Sequence, residues 1–349
     1  MKNFLCKAIP FAFVSLFCSY AGMAQEDLNQ LLEAGLEDAN TLVEGYVEPA
    51  MTGFGTSLAN GWYNTAKAHR PAGFDLTITV NAAYVPDDDL FYTPTLQNTT
   101  LVSGDRAPTI FGSDEDADIP TYQYSYEEDG VTFTGTFDGV GGINVKDAIG
   151  IQAVPVPMAQ LGVGLIKNTD IKIRWTPEID IEDDGTFKLI GFGILHDVKQ
   201  HIPGIKMLPF DLSAFIGFTD ISSEVTFEEE GSGSGVSTEN GRATFDVNTW
   251  TFQGLISKQF SILTLYGGLG FNAVSSDLRL EGDYTVSNDS GESVTYSNPI
   301  NLSFSSGGPR LTAGARLKLA ILTLHADYTL QEFNVLTVGL GFSFREQKN

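Results

Sequence analysis

Over three consecutive stretches near the end of the chain, apolar and polar side chains alternate with a period of two. Leu311, Ala313, Ala315, Leu317 and Leu319 alternate with Thr312, Gly314, Arg316 and Lys318. Leu322, Leu324, Ala326, Tyr328 and Leu330 alternate with Thr323, His325, Asp327 and Thr329, and Leu336, Val338, Leu340, Phe342 and Phe344 with Thr337, Gly339, Gly341 and Ser343. A strand points successive side chains to opposite faces, so each stretch has one apolar and one polar face. The stretches run about nine to eleven residues, and their second face is small or charged, which suits lipid outside and water inside. They predict successive strands of a transmembrane antiparallel β-barrel, an all-β fold. With a turn at Ala320 and Ile321, Arg316 falls opposite His325 and diagonal to Asp327, a polar network able to neutralise itself inside a lumen.

The same alternation begins abruptly at Gly73, with Phe74, Leu76, Ile78, Val80, Ala82 and Tyr84 against Asp75, Thr77, Thr79 and Asn81. Pro86 and the run Asp87-Asp88-Asp89 end it. Further strands are predicted over Val156–Ile166, Asp170–Ile181, Thr186–Ile194 and Phe210–Phe218, with a hairpin of Thr244–Ile256 and Phe260–Ala273 around Ser257-Lys258-Gln259. A polar loop runs from Phe91 to Pro120, and short strands follow at Thr121–Tyr126 and Val131–Phe137. Residues 275–310 leave and return on the outer side, either as one hairpin or with two added strands. The expected barrel covers 73–345 with an even count of about twelve to fourteen strands, fourteen preferred.

The start of the chain is different. A basic Met1-Lys2-Asn3, an apolar run from Ala8 to Leu16 and Ala21-Gly22-Met23-Ala24 predict a signal peptide over 1–24. Cleavage there removes Cys6 and Cys18, so the exported chain has no thiol and no disulfide framework. Leu28, Leu31, Leu32, Leu36, Ala39, Leu42 and Val43 recur at helical spacing, predicting an amphipathic helix over 26–44 that Gly35 weakens and that Gly45 and Pro49 end. From Ala50 to Ala68 the chain is rich in glycine and aromatics without a clean period. No later run of about eighteen apolar residues could form a membrane helix.

Charge narrows the partners. The sequence holds 44 acids against 20 bases, a net charge of −24, which excludes nucleic acid. The acids gather between strands, as at Asp87–Asp89, Glu127–Asp129, Glu182–Asp184 and Glu228–Glu230, where solvated loops near lipid and lipopolysaccharide would lie. Asp114, Asp116 and Asp118 start like a calcium loop, but Ile119 and Ser125 stand where its glycine and closing Glu belong. The four histidines, His69, His196, His201 and His325, are scattered, and Gly231-Ser232-Gly233-Ser234-Gly235 lacks the register of a nucleophile elbow. His196 and His201, five apart, suit an interfacial role better than a shared metal. No catalytic, cofactor or metal site is expected, and the chain reads as a non-enzyme.

Gly53-Phe54-Gly55, Asn64-Thr65-Ala66 and then Pro71-Ala72-Gly73-Phe74, standing directly before the first strand, resemble the amino-terminal hatch of the FadL/TodX family of outer-membrane transporters for hydrophobic compounds. They are similar also to a related group of uncharacterised barrel proteins from the Bacteroidota. Thr65 departs from the family's proline, and the helix before the hatch is additional. The resemblance implies that 25–72 forms a helix and a plug, that Gly53, Phe54, Gly55, Trp62, Tyr63 and Asn64 lie at the plug or ligand surface, and that a small hydrophobic or amphipathic cargo passes. Two readings fit the plug: a hatch that moves, using the backbone freedom of Gly53, Gly55 and Gly61, or a fixed filling. Two functions follow, a plugged uptake channel in the outer membrane or a non-transporting structural or adhesive barrel that binds through acidic extracellular loops. A soluble all-β secreted protein is the weaker third reading, since no second layer covers the apolar faces.

Overall fold

The computed structural model describes residue 32 and residues 34–346, except 129, 144, 147–149, 182–184, 206, 230–235 and 288–291. The expected signal peptide, 1–24, and the start of the expected helix, 26–31, lie outside the described residues. One helix, α1 (Leu36–Leu58), is followed by β1 (His69–Tyr84), β2 (Phe91–Tyr92), β3 (Thr99–Leu101), β4 (Ala107–Pro108), β5 (Thr121–Glu128) and β6 (Val131–Asp138). Next come β7 (Ala153–Gly164), β8 (Thr169–Ile181), β9 (Gly185–Asp197), β10 (Asp211–Glu229) and β11 (Val236–Phe260). The chain ends with β12 (Leu263–Ser287), β13 (Ser293–Ser297), β14 (Ile300–Leu319), β15 (Leu322–Leu330) and β16 (Val335–Glu346).

Antiparallel ladders run from β1 through β7, β8, β9, β10, β11, β12, β14, β15 and β16, and β16 pairs back on β1. The ring therefore closes with ten strands among the described residues, fewer than the twelve to fourteen expected. The difference has two sources. Residues 275–310 prolong β12 and β14 beyond the ring's midsection, with β13 pairing on the end of β12, rather than dipping back to add two staves. Strands β3, β5 and β6 close a separate small sheet. The turn after β11 is at Ser261-Ile262, not at 257–259, because Phe260 still pairs with Leu263. The turn at Ala320-Ile321 is where the alternation put it, with Arg316 against His325.

The wall is turned inside out relative to a soluble sheet. On β1, Leu76 is 47% exposed while its neighbour Asp75 is 5% exposed, and Phe74, Ile78 and Val80 share the outer face. Ile171, Ile173, Phe192, Ile194, Trp250, Phe252, Leu324 and Leu340 continue the apolar exterior around the ring. Such a continuous apolar girdle around a closed ladder is stable against lipid, since every backbone group is satisfied within the wall. Higher up the same strands the pattern inverts. On β12 the inward residues change from Thr264 and Asn272 to Val274, Leu280 and Tyr284, while Ser275, Asp277 and Arg279 face outward. The inversion marks where lipid outside gives way to water.

Short connections at 165–168, 261–262 and 320–321 lie at one end, and the long segments 85–152 and 288–299 at the other. In outer-membrane barrels the short turns are periplasmic and the long loops extracellular. Asp87–Asp89, Asp116, Asp118 and Glu127 therefore crown the extracellular end of an outer-membrane β-barrel. No described helix is long and apolar enough to cross a membrane, which leaves the strands to do so.

Helix α1 differs from the expectation. It runs from Leu36, after Gly35, whose φ is 84°, to Leu58, passing through both Gly45 and Pro49, where the expected helix was to end. Pro49 forfeits one helical hydrogen bond, but from Pro49 to Leu58 every side chain is buried against the barrel. Packing on all sides outweighs local propensity, and half of the aperiodic stretch 50–68 is helix for that reason.

Candidate functional site

The lumen is filled along its length by residues 36–68. A ten-stranded barrel has room for about one helix of about 10 Å diameter, and α1 takes that space from the extracellular mouth inward. Its upper half packs against Tyr122, Tyr126, Phe133, Tyr284 and Ile300. Its lower half packs against Val154, Val156, Leu189, Ile221, Val247 and Val274. Glycines 53 and 55 sit inside the helix, where a Cβ would come within 2.6 Å of Val154 Cγ2 and 2.2 Å of Val274 Cγ1 respectively. They permit close approach of the helix to the wall. Gly61 alone of the three takes a positive φ, 75°. Phe54 is buried, with its ring centroid 5.4 Å from that of Phe245.

Below Leu58 the helix ends in mid-lumen, and its last carbonyls need donors. Arg174 on β8 donates from Nη1 to the Leu58 carbonyl at 2.8 Å and from Nη2 to the Asn60 carbonyl at 2.5 Å. Arg310 on β14 donates to the Ala59 carbonyl at 3.0 Å and to the Asn60 side-chain oxygen, and Thr251 also donates to Ala59. Strands β8 and β14 are five places apart in the ring of ten, so two guanidinium groups from opposite walls meet the negative end of the helix dipole. Trp62 lies beneath, with the Arg174 guanidinium 3.5 Å from its ring centre. The indole rests where inward glycines Gly193 and Gly217 leave room, since a Cβ at either would approach it to 3.0 Å or less.

The chain then descends as an extended segment pinned by the wall. Tyr63 donates to Gln253 at 2.6 Å, Gln160 donates to the Trp62 carbonyl, the Ala66 N–H donates to Ser257, and Ser213 donates to the Ala66 carbonyl. Asn64 is half-buried in this segment. Where the plug becomes β1, His69 meets a buried ionic group that the sequence reading overlooked. The Asp170 carboxylate accepts from the His69 backbone N–H and contacts its Nδ1, both at 2.8 Å, and Lys172 Nζ is 3.5 Å from Asp75 Oδ1. Asp75 and Asp170 stand on strands separated by β7, and they meet because Gly162 lies between: its Cβ would come within 2.3 Å of Asp75 Oδ1. His69, Asp75 and Asp170 could offer one nitrogen and two oxygens within 4.8 Å to a metal ion. Lys172 supplies a cation to one of these carboxylates, Asp75.

In the lower lumen Arg316 and His325 are cross-strand partners, and Asp327, paired across from Gly314, accepts a hydrogen bond from Tyr266 at 2.7 Å. All three are buried. The sequence-predicted residues thus divide. Phe54, Trp62 and Tyr63 fill the lumen, Arg316, His325 and Asp327 line the wall, and the two sets meet where Tyr63 packs edge-on against Tyr266, their ring centroids 6.2 Å apart.

Residues 1–344 match the model of a family described as "Family of unknown function (DUF6588)". The chain belongs to that family. No curated protein matches it. Among solved structures, this DUF6588 member is similar to Ail, the attachment invasion locus protein of Yersinia pestis, at 11% identity and a TM-score of 0.24, covering 78% of this chain and 97% of that one. It is similar to the translocator domain of autotransporter NalP from Neisseria meningitidis at 9% identity and a TM-score of 0.30, covering 79% and 90%. A Pseudomonas aeruginosa FadL homologue gives 12% identity and a TM-score of 0.22, covering 88% and 98%.

At the mouth, Asp38 near the start of α1 is buried and accepts from the Gln97 and Asn98 backbone N–H groups, tying the outer loop to the helix. Beside it a cavity of about 520 Å³ opens between Leu36, Glu37, Asn40, Asn98, Tyr126 and Glu127. Acids crowd the same end. Burial and then the neighbouring Glu44 and Asp89 push the Glu48 carboxyl up, and burial with Asp88 and Glu332 does the same to Asp89. Between the ordinary carboxylate range and these raised values the folded mouth holds more protons than the unfolded chain. Its stability therefore falls as pH rises through that window and is regained on acidification. Amide exchange at Asp89 and Leu90, corrected for intrinsic rates, is expected to be slower at mildly acidic than at neutral pH; equal protection would contradict the crowding argument.

Proposed function

We propose that this chain is a stoppered outer-membrane barrel that works through its extracellular end and does not conduct in its resting form. The observation that carries this reading is the clamp of Arg174 and Arg310 on the helix terminus at mid-lumen. Withdrawing the plug would break these charge-assisted bonds, the seat of Trp62 and the ionic group at His69 together. The exposed surface then available for function is the acidic crown. Its chemistry suits cationic groups, either on a partner's surface or as divalent ions bridging to lipopolysaccharide, and the mouth cavity places two carboxylates beside the Tyr126 ring, where an organic cation would fit.

The second reading, uptake of small hydrophobic molecules, is favoured by the apolar upper lumen of Val154, Val156, Met158 and Leu189, which α1 covers. It requires α1 to leave. Planar-bilayer recordings separate the two. Full-length mature protein is expected to be silent with or without added hydrophobic solutes, and a variant lacking 25–68 is expected to conduct. Steady current through the full-length protein, or current evoked by a hydrophobic solute, would overturn the stoppered reading and favour uptake.

A further inference from the structure

The periplasmic end carries a feature that neither the plug nor the crown uses. Among its connections, the one between β9 and β10 (198–210) is longer than its neighbours and is not held as a free loop. His201 stacks on His196, with ring centroids 5.3 Å apart, and His196 shares the outward face of β9 with Ile194 and Phe192. Lys199 draws the loop closed by donating to the Leu208 and Phe210 carbonyls, both at 2.5 Å. Gln200 joins it to the adjacent turn by donating to the Lys167 carbonyl at 2.9 Å. The loop is thus folded against the outside of the wall, at the lower edge of the lipid-facing girdle.

What it presents there is apolar. Met207 is 94% exposed, with Ile202 and Leu208 exposed in the same loop and Leu165 and Ile166 in the turn bonded to it. An exposed methionine among exposed aliphatics has no stabilising role in water, and a group of exposed apolar side chains on two bonded connections points to a contact. Two features identify the contact. The patch is continuous with an exterior already covered by lipid. And the bases at this rim, Arg70, Lys167, Lys199, Lys258 and Arg345, outnumber its acids Asp197, Asp211 and Glu346, a balance opposite to that of the acidic end, so the charge matches the phosphates of phospholipid headgroups.

We propose that 165–168 and 198–210 form a foot inserted in the periplasmic leaflet of the outer membrane, with Ile166, Met207 and Leu208 among acyl chains and the neighbouring bases on anionic phospholipid headgroups. The foot fixes the depth and tilt of the barrel on the side opposite the acidic crown. A nitroxide at Met207→Cys tests this, because the chain from residue 25 onward contains no other cysteine. In vesicles of phosphatidylethanolamine and phosphatidylglycerol, the label is expected to be several-fold more accessible to oxygen than to a water-soluble nickel chelate, relative to a label at Asp116→Cys in the crown. Lys167→Gln with Lys258→Gln is expected to lower the enrichment of spin-labelled phosphatidylglycerol around the protein about twofold. A Met207 label as open to nickel as the Asp116 label overturns the proposal. An unchanged lipid preference in the lysine variant overturns the headgroup part.

Discussion

Replacing Arg174 and Arg310 together by methionine is expected to unseat the plug while leaving the barrel folded. Each arginine is almost fully buried and reaches into the lumen to donate to carbonyls that have few other donors. Losing the two Arg174 bonds to the plug should cost about 3–6 kcal/mol, at about 1.5–3 kcal/mol per hydrogen bond to a charged group, and losing the contact with Trp62 about 1 kcal/mol more. Losing the two Arg310 bonds should add about 3–6 kcal/mol by the same reckoning. The wall is untouched, because its ladder is backbone to backbone. The double variant should therefore keep the heat-modifiable gel migration of a folded barrel, show red-shifted Trp62 emission and conduct in bilayers where the parent is silent. Arg279→Met serves as the control: its pairing with Asp246 lies on the exposed outer face, where a salt bridge contributes about 0–1 kcal/mol. A silent, Trp62-buried double variant would mean that apolar packing of α1 alone holds the stopper.

What the sequence could disclose followed from the range of the interactions involved. The period of two at 311–344 depends only on local geometry and on which solvent lies on each side, so strand identity, outward face and even the Arg316–His325 pairing were legible. The strand number was not. Whether 275–310 adds staves or lengthens old ones depends on where water replaces lipid, and the sign of that is carried by the inward Val274, Leu280 and Tyr284, which read as ordinary alternation until the inside is known. The end of the helix was misplaced because Pro49 and Gly45 are stop signals for a solvated helix, whereas here tertiary burial overrides them.

The plug's seat was hidden for a related reason. Gly162, Gly193 and Gly217 look like generic barrel glycines. Only the closed ring reveals that each clears space for Asp75 or Trp62 coming from elsewhere in the chain. His69 likewise looked isolated, since its partners are Asp170, about a hundred residues away in sequence, and Ser343 on the last strand.

That joint supplies the second large expected effect. Asp170→Ala strips the His69 backbone N–H of its acceptor in a buried place and leaves Asp75, 3.7 Å from Nδ1, as the remaining carboxylate beside the His69 ring. Breaking a buried ionic group by removing one member typically costs about 3–5 kcal/mol, because the penalty lies in the groups left behind. Asp170→Asn retains one acceptor oxygen for the backbone N–H and should cost appreciably less, which separates the hydrogen bond from the charge. The loss should be local at first: His69 is the hinge between plug and β1, so amide exchange at 66–74 is expected to speed up before the rest of the wall responds. Urea titration in lipid vesicles reads the total, and a change in Asp170→Ala below about 1 kcal/mol would place the group among charges that solvent still screens. The joint would then be a consequence of the fold rather than one of its fastenings.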